Sequence, residues 1–130
     1  MNAGDGQRSR PRILVVEDDR VVREVVVRCL RDRFEVHEAM HGLEALGHIA
    51  ADHGYVAILC DVEMPYMSGL ELLEDLRTAA PALAERFIFI TGGPRSDEGA
   101  MALDAAGVHV LRKPFSRAEL YAAVRDVSSD

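Results

Sequence analysis

Residues 57–65 read AILCDVEMP, an apolar run that ends abruptly in an aspartate. The first four residues have the character of a buried β-strand, Asp61 and Glu63 are carboxylates two residues apart, and Pro65 stops regular structure. A charged group at the edge of a hydrophobic core is costly unless another group compensates its charge. The stretch therefore predicts a strand that delivers Asp61 to a polar site built together with other parts of the chain.

The composition fits one compact domain with a substantial core. The chain has 130 residues, of which 48% are hydrophobic. Its 15 basic residues are outnumbered by 22 acidic ones, so the formal net charge is -7. Binding to nucleic acid or to anionic lipid requires a basic surface, so this charge argues against both kinds of partner.

The ends of the chain and its cysteines indicate a cytoplasmic protein. Residues 1–11, MNAGDGQRSRP, are polar and resemble neither a signal peptide nor a membrane anchor, and no apolar run reaches membrane-spanning length. We interpret them as a flexible lead-in to a domain over residues 12–128. Cys29 and Cys60 both lie in apolar stretches, which favours buried thiols in a reducing compartment over a disulfide.

Strand-like and helix-like segments alternate along the chain. The strands are predicted at 12–16, 34–39, 55–60, 87–91 and 108–111, and the helices at 20–31, 42–51, after Ser68, at 96–106 and after Ser116. The first, third and fourth strands are almost wholly apolar, which is typical of strands covered on both faces. The pattern predicts an α/β fold, a doubly wound parallel sheet with helices on each side.

Polar side chains follow four of these strands at the point where each strand ends. Because crossovers between parallel strands are right-handed, the carboxyl ends meet at one edge, where sites form in open sheets. The residues brought there are Glu17, Asp18 and Asp19, then Asp61 and Glu63, then Thr91, Gly92 and Gly93, and finally Lys113. Such an oxygen-rich cluster suits a hard divalent ion, with Mg²⁺ preferred and Mn²⁺ as an alternative. Any single acid could instead be a solvated loop residue, and Asp19 is also a candidate helix N-cap.

The chain resembles the receiver domains of two-component response regulators over roughly residues 12–127. The resemblance rests on ILVVEDD at 13–19, DVEMPYMSGLELL at 61–73, FITGG at 89–93 and KPF at 113–115. It implies a flavodoxin-like (βα)₅ domain with strand order 2-1-3-4-5. It also implies a phosphorylation-controlled switch with no enzymatic activity beyond its own phosphorylation and slow autodephosphorylation.

The resemblance assigns a role to each matching residue. Asp61 corresponds to the phosphoacceptor, which takes a phosphoryl group from a histidine kinase or a histidine phosphotransfer protein. Glu17, Asp18, Asp61 and the backbone carbonyl of Glu63 correspond to the Mg²⁺ ligands. Thr91 and Lys113 correspond to the groups that contact the phosphoryl oxygens, and the Lys113–Pro114 bond is cis in the family.

Three positions depart from the usual family pattern. Glu63 occupies a variable site beside the phosphoacceptor, where a carboxylate either influences the attacking water or is simply solvated. Val110 replaces a customary aromatic residue, and Gly92 replaces a customary alanine, as in a minority class with a Phe-x-Thr-Gly motif. Since valine cannot act as the usual aromatic switch, we expect the signal to pass through Gly92 and Gly93.

Two other functions and several partners remain open at this point. A haloacid dehalogenase-type phosphatase also uses a strand-end aspartate, although it requires a second aspartate where this chain has Glu63. A degenerate receiver would serve only as a docking scaffold.

The domain could be a single-domain regulator or part of a hybrid kinase, monomeric or weakly dimeric, with a downstream protein partner. The apolar edge of the first helix around Val21 and Val25 either receives the phosphodonor protein or contacts the last helix.

Overall fold

The fold is a five-stranded parallel sheet between two layers of helices. A computed structural model describes residues 10–64, 66–92, 101–102 and 105–128. The strands are β1 (Arg12–Val16), β2 (Glu35–Ala39), β3 (Tyr55–Asp61), β4 (Phe87–Thr91) and β5 (His109–Arg112). Their order in the sheet is β2-β1-β3-β4-β5, and every pairing is parallel. The predicted fold class and strand order are therefore confirmed.

Helices connect the strands close to the predicted positions. They are α1 (Arg20–Leu30), α2 (Gly42–Ala51), α3 (Gly69–Ala79), a single turn α4 (Pro81–Ala84) and α5 (Arg117–Ser128). Residues 101–102 and 105–106 are also helical, within the helix predicted at 96–106. In the part of the chain that the structure describes, no helix combines the length and apolar character needed to cross a membrane.

The helix ends carry the capping interactions that the sequence indicates. The Asp19 carboxylate accepts the backbone N–H groups of Val21 and Val22, so its assignment as the N-cap of α1 is confirmed. Ser68 and Glu71 form a reciprocal capping box at α3, and Ser116 and Glu119 form a second one at α5. These caps fix where the chain turns from each strand end into the next helix.

Separate apolar cores lie on the two faces of the sheet. On the first face, Phe87 and Phe89 pack edge to face with ring centroids 5.0 Å apart, and Leu72 and Leu76 of α3 cover them. On the other face, helices α1 and α5 cover the alternate strand positions. This core includes Val26 and Leu30 of α1, Leu120 and Val124 of α5, and Ile88 and Ile90 of β4. Burial on both faces explains why β3 and β4 are continuous apolar runs, and it leaves the strand ends as the place for polar groups.

Candidate functional site

The carboxyl ends of β1, β3 and β4 and the segment after β5 surround one open crevice of about 530 Å³. Its lining consists of Glu17, Asp18, Asp19, Asp61, Glu63, Thr91, Gly92 and Lys113. The strand register explains this convergence. Val16 pairs with Cys60, and Asp61 pairs with Ile90, so the residues that follow leave the sheet at nearly the same level.

Three carboxylates in the crevice are close enough to share one cation. Glu17, Asp18 and Asp61 each offer an oxygen, and these oxygens lie within 4.8 Å of one another. Opposite ligands of an octahedral Mg²⁺ are separated by about 4.2 Å, twice the usual Mg–O distance. The spacing therefore suits a small hard cation after a modest adjustment of the side chains.

Glu17 is the most deeply buried of the three acids, with 2% of its surface exposed. Its Oε2 accepts the backbone N–H of Asp19 at 3.0 Å, whereas its buried Oε1 has no hydrogen-bond partner among the described residues. Burial raises the pKa of Glu17 to about 7, with a further upward contribution from Asp61, against the lowering effect of the Asp19 N–H. A buried carboxylate oxygen without a donor is the group that a metal ion would satisfy.

Burial also disfavours the ionised form of Asp61, although to a smaller extent than that of Glu17. It is the last residue of β3, and burial raises its pKa despite the opposing Lys113 ammonium and the backbone N–H groups of Glu63 and Val62. The positive charge of Lys113 does not outweigh burial, and the neighbouring Asp18 adds to the upward shift of the pKa. A divalent cation would supply the missing compensation.

Thr91 and Lys113 form the wall opposite the acids. Thr91 ends β4 and is buried, and its carbonyl accepts the backbone N–H of Lys113 at 2.8 Å. The Lys113–Pro114 peptide bond is cis, as the family resemblance implied. The hydrogen bond between their backbones holds Thr91 and Lys113 side by side, and both residues line the crevice.

The other predicted positions have different outcomes. Gly92 lines the crevice, whereas Gly93 lies outside the described residues. Val110 lies on β5, where it is half-buried against the core on the α3 face of the sheet. It therefore belongs to the packing behind the site and not to the crevice lining.

Sequence reasoning missed two residues that support the site. Arg23 of α1 donates from Nη1 to the carbonyl oxygen of Glu17 at 2.8 Å. Gly69, the first residue of α3, leaves no room for a side chain, because an added Cβ would lie 2.6 Å from the Asp61 carbonyl oxygen. The motif that contains Gly69 indicated only a capping box, and the charge pattern of α1 gave no signal that singled out Arg23.

A family model described as the response regulator receiver domain matches residues 13–125. The chain is a receiver domain. Response regulator MprA of Mycobacterium avium (strain 104) is 40% identical to this receiver domain over 115 residues, which is 88% of this chain and 49% of the relative. The relative of the same name from Mycobacterium tuberculosis (strain ATCC 25177 / H37Ra) shows the same identity and coverage. The chain thus spans about half the length of the curated relatives it matches.

Solved structures of receiver proteins have the same architecture. Chemotaxis protein CheY4 of Vibrio cholerae superimposes with a TM-score of 0.79 and 28% identity, over 92% of this chain and 99% of that one. Response regulator TrrA of Thermotoga maritima, solved in complex with Mg²⁺ and BeF, superimposes with a TM-score of 0.74 and 31% identity, over 90% and 98% of the two chains. The receiver family is a signalling module of two-component systems and not a catalytic enzyme, so the phosphatase alternative loses its support.

Proposed function

We propose that Asp61 accepts a phosphoryl group from a histidine kinase or a histidine phosphotransfer protein, and that the receiver domain thereby acts as a switch. The observation that carries this proposal is the position of Asp61 in the crevice, between the acids Glu17 and Asp18 on one side and Thr91 and Lys113 on the other. Family membership supports it, because a receiver domain implies a histidine kinase as partner.

The proposed transfer is a direct displacement at phosphorus. An oxygen of the Asp61 carboxylate forms a bond to the phosphorus of a phosphohistidine as the P–N bond breaks, and the histidine nitrogen keeps the electron pair. The main obstacle is repulsion between the carboxylate and the phosphoryl oxygens. In this assignment the ammonium of Lys113 neutralises one of those oxygens, and the hydroxyl of Thr91 donates to another.

Glu17, Asp18 and Asp61, with the carbonyl of Glu63, are the residues that would hold Mg²⁺. When bound, the ion supplies the positive charge that the carboxylates and the phosphoryl oxygens require. Two features support this ligand set: Oε1 of buried Glu17 has no hydrogen-bond partner within the described ranges, and the three carboxylates are closely spaced. TrrA was solved with Mg²⁺. Mn²⁺, which prefers the same hard oxygen ligands, is the alternative ion.

The phosphodonor protein would dock beside the crevice on α1. Val21 and Val25 are 70% and 52% exposed, so the last helix does not cover them, and they line an apolar groove with Pro114 and Phe115. This surface borders Lys113 and thus lies next to the proposed acceptor. This docking arrangement is the same for a domain that functions alone and for one within a hybrid kinase. The proposed phosphodonor partner implies a cytoplasmic location.

Phosphorylation by a small donor tests the proposal directly. Wild-type protein incubated with acetyl phosphate and Mg²⁺ should gain one phosphoryl group by intact mass, and Asp61→Asn should gain none while keeping its fold. Asp18→Ala should reduce labelling and Mg²⁺ binding together. Labelling of Asp61→Asn at the wild-type rate would remove Asp61 as the acceptor, and an unlabelled wild type would favour the docking-scaffold alternative.

A further inference from the structure

Arg23 links a proposed metal ligand to the neighbouring edge strand. It lies in the first turns of α1, and its side chain is only 12% exposed. Besides the bond from Nη1 to the Glu17 carbonyl, its Nε donates to Oε1 of Glu38 at 3.1 Å. One guanidinium thus joins the end of β1 to β2 through two bonds, both charge-assisted.

The main chain of Glu17 is consequently held on both sides. Its N–H donates to the carbonyl of Ala39 at 3.0 Å, and its own carbonyl accepts from Arg23. On the side chain, Oε2 accepts the Asp19 N–H, and Oε1 is left without a hydrogen-bond partner in the described part of the chain. The orientation of this buried carboxylate therefore depends on a peptide plane that Arg23 fixes to β2.

We propose that Arg23 is a positioning residue for the Mg²⁺ site. By holding the Glu17 carbonyl, it keeps the Glu17–Asp18 peptide in the orientation that turns both carboxylates toward Asp61. This inference rests on the proposed function, in which these acids hold the ion. Groups that hold a metal ligand in place typically affect metal affinity by about 10- to 100-fold when they are removed.

Glu38 holds Arg23 in this position. Its carboxylate accepts from Nε, and its backbone carbonyl accepts from Nε2 of His48 at 3.1 Å, which ties the end of β2 to α2. Without the Glu38 carboxylate, the guanidinium would keep its bond to Glu17 but lose the partner that restrains it. Glu38 therefore contributes indirectly and more weakly than Arg23 itself.

The experiment compares Mg²⁺ dissociation constants, measured by calorimetric titration well below the melting temperature. Arg23→Met, which keeps an apolar stem but no donors, should raise the constant by about tenfold or more. Arg23→Lys, with one cationic donor group, should recover part of the loss. Arg20→Met is the matched control on the same helix, because Arg20 is 80% exposed and, among the residues that the structure describes, pairs only with Glu24 in an exposed i,i+4 contact. It should change the constant by less than about twofold.

Amide chemical shifts of the metal-free protein provide a second readout. Arg23→Met should shift the amides of residues 17 and 18, whereas Arg20→Met should leave those two amides in place. An Arg23→Met protein that melts at a lower temperature but binds Mg²⁺ with the wild-type constant would reduce Arg23 to a structural role and overturn the proposal.

The remaining outcomes are also decisive. If Arg23→Met does not fold, Arg23→Lys takes its place. A lysine cannot bridge Glu17 and Glu38 as the guanidinium does, so an unchanged Mg²⁺ constant in that variant overturns the proposal. A wild-type protein that binds no Mg²⁺ would contradict the proposed function itself. This result differs from a failure of the Arg23 proposal, because the titrations of wild type and of Asp18→Ala would then both show no Mg²⁺ binding.

Discussion

At the scale of single residues, Glu17 shows how the site opposes the stability of the fold. Its carboxyl group is buried, one of its oxygens lacks a donor among the described residues, and its pKa is raised to about 7. An acid with a raised pKa binds its proton more tightly in the folded than in the unfolded state. The metal-free domain thus bears a cost at neutral pH that a bound cation would relieve.

The first consequence is a characteristic dependence of stability on pH. With a chelator present to remove metal ions, Glu17 ionises near pH 4.5 in the unfolded chain but only near pH 7 in the folded one. The stability that protonated Glu17 contributes at low pH is therefore lost as the pH rises from about 4.5 to about 7. The loss should amount to at most about 3 kcal/mol, and Glu17→Gln should remove it. Asp61 shifts in the same direction, so the variant should retain a weaker slope. Urea unfolding at several pH values measures this, and equal slopes in both proteins would contradict it.

Gly69 is a residue at which packing, and not backbone conformation, requires glycine. In Gly69→Ala the new methyl group would meet the Asp61 carbonyl oxygen at 2.6 Å and the Phe89 ring at 2.9 Å, which should cost about 1–3 kcal/mol. Gly47→Ala is the control, because Gly47 is an exposed helical position with nothing described within 4 Å of an added Cβ. That variant should gain about 0.5–1 kcal/mol. Urea denaturation should rank the two on opposite sides of wild type, and equal stabilities would refute the close approach at Gly69.

At the scale of helices and strands, local signals were sufficient for most of the architecture. β1, α2 and β4 have the predicted bounds, because apolar runs and helical spacing both reflect burial on nearby faces. The turn α4 was not predicted, since four residues are too few for a periodic pattern. It forms because Ala80 leaves helical geometry before Pro81, and the proline then begins a new turn.

The site was predictable for a related reason. Asp61 and Thr91 end their strands, and Glu17 and Lys113 directly follow theirs, so parallel pairing alone brings them to one edge. The role of Arg23 was not predictable, because its contact with Glu17 depends on the path of a long flexible side chain. The same holds for Gly69, whose constraint comes from a close approach of two segments that no spacing rule encodes.

The exposed edge of α1 gives a prediction about the partner. Val21→Asp should slow phosphoryl transfer from a histidine kinase or phosphotransfer protein. A carboxylate in the proposed docking groove would have to be buried against the apolar surface of that partner, which is costly. Transfer from acetyl phosphate should remain at the wild-type rate. Phosphorylation time courses with both donors measure the difference. Equal slowing with both would indicate damage to the fold and not to docking.

At the scale of the whole molecule, the remaining question is how phosphorylation at one edge changes the rest of the domain. Val110 pairs with Phe89 in the sheet and packs into the core, where a small β-branched side chain has little freedom to report a change. Gly92 lies in the crevice at the end of β4, and no described atom lies within 4 Å of an added Cβ. A side chain at position 92 would therefore restrict the backbone without a clash.

We expect the signal to leave through the segment that begins at Gly92. Val110→Ala should hardly alter the amide shifts produced by phosphorylation, whereas Gly92→Val should blunt them without preventing phosphorylation. NMR spectra before and after treatment with acetyl phosphate and Mg²⁺ provide the measurement. Unmoved amides in residues 92–99, of which 93–99 lie outside the described residues, would rule out this route, and so would loss of the response in Val110→Ala alone.

The placement of the two thiols on opposite faces of the sheet has a practical consequence. Cys60 is fully buried beside Asp61 in the α3-side core, where burial raises its thiol pKa well above the usual value, while Cys29 packs against the other core and is partly accessible. A thiolate-seeking reagent should therefore modify Cys29 in the native protein and reach Cys60 only when β3 opens. The chain contains no tryptophan whose fluorescence could report local opening. The modification rate of Cys60 would instead measure how often the chain opens next to Asp61, the proposed acceptor.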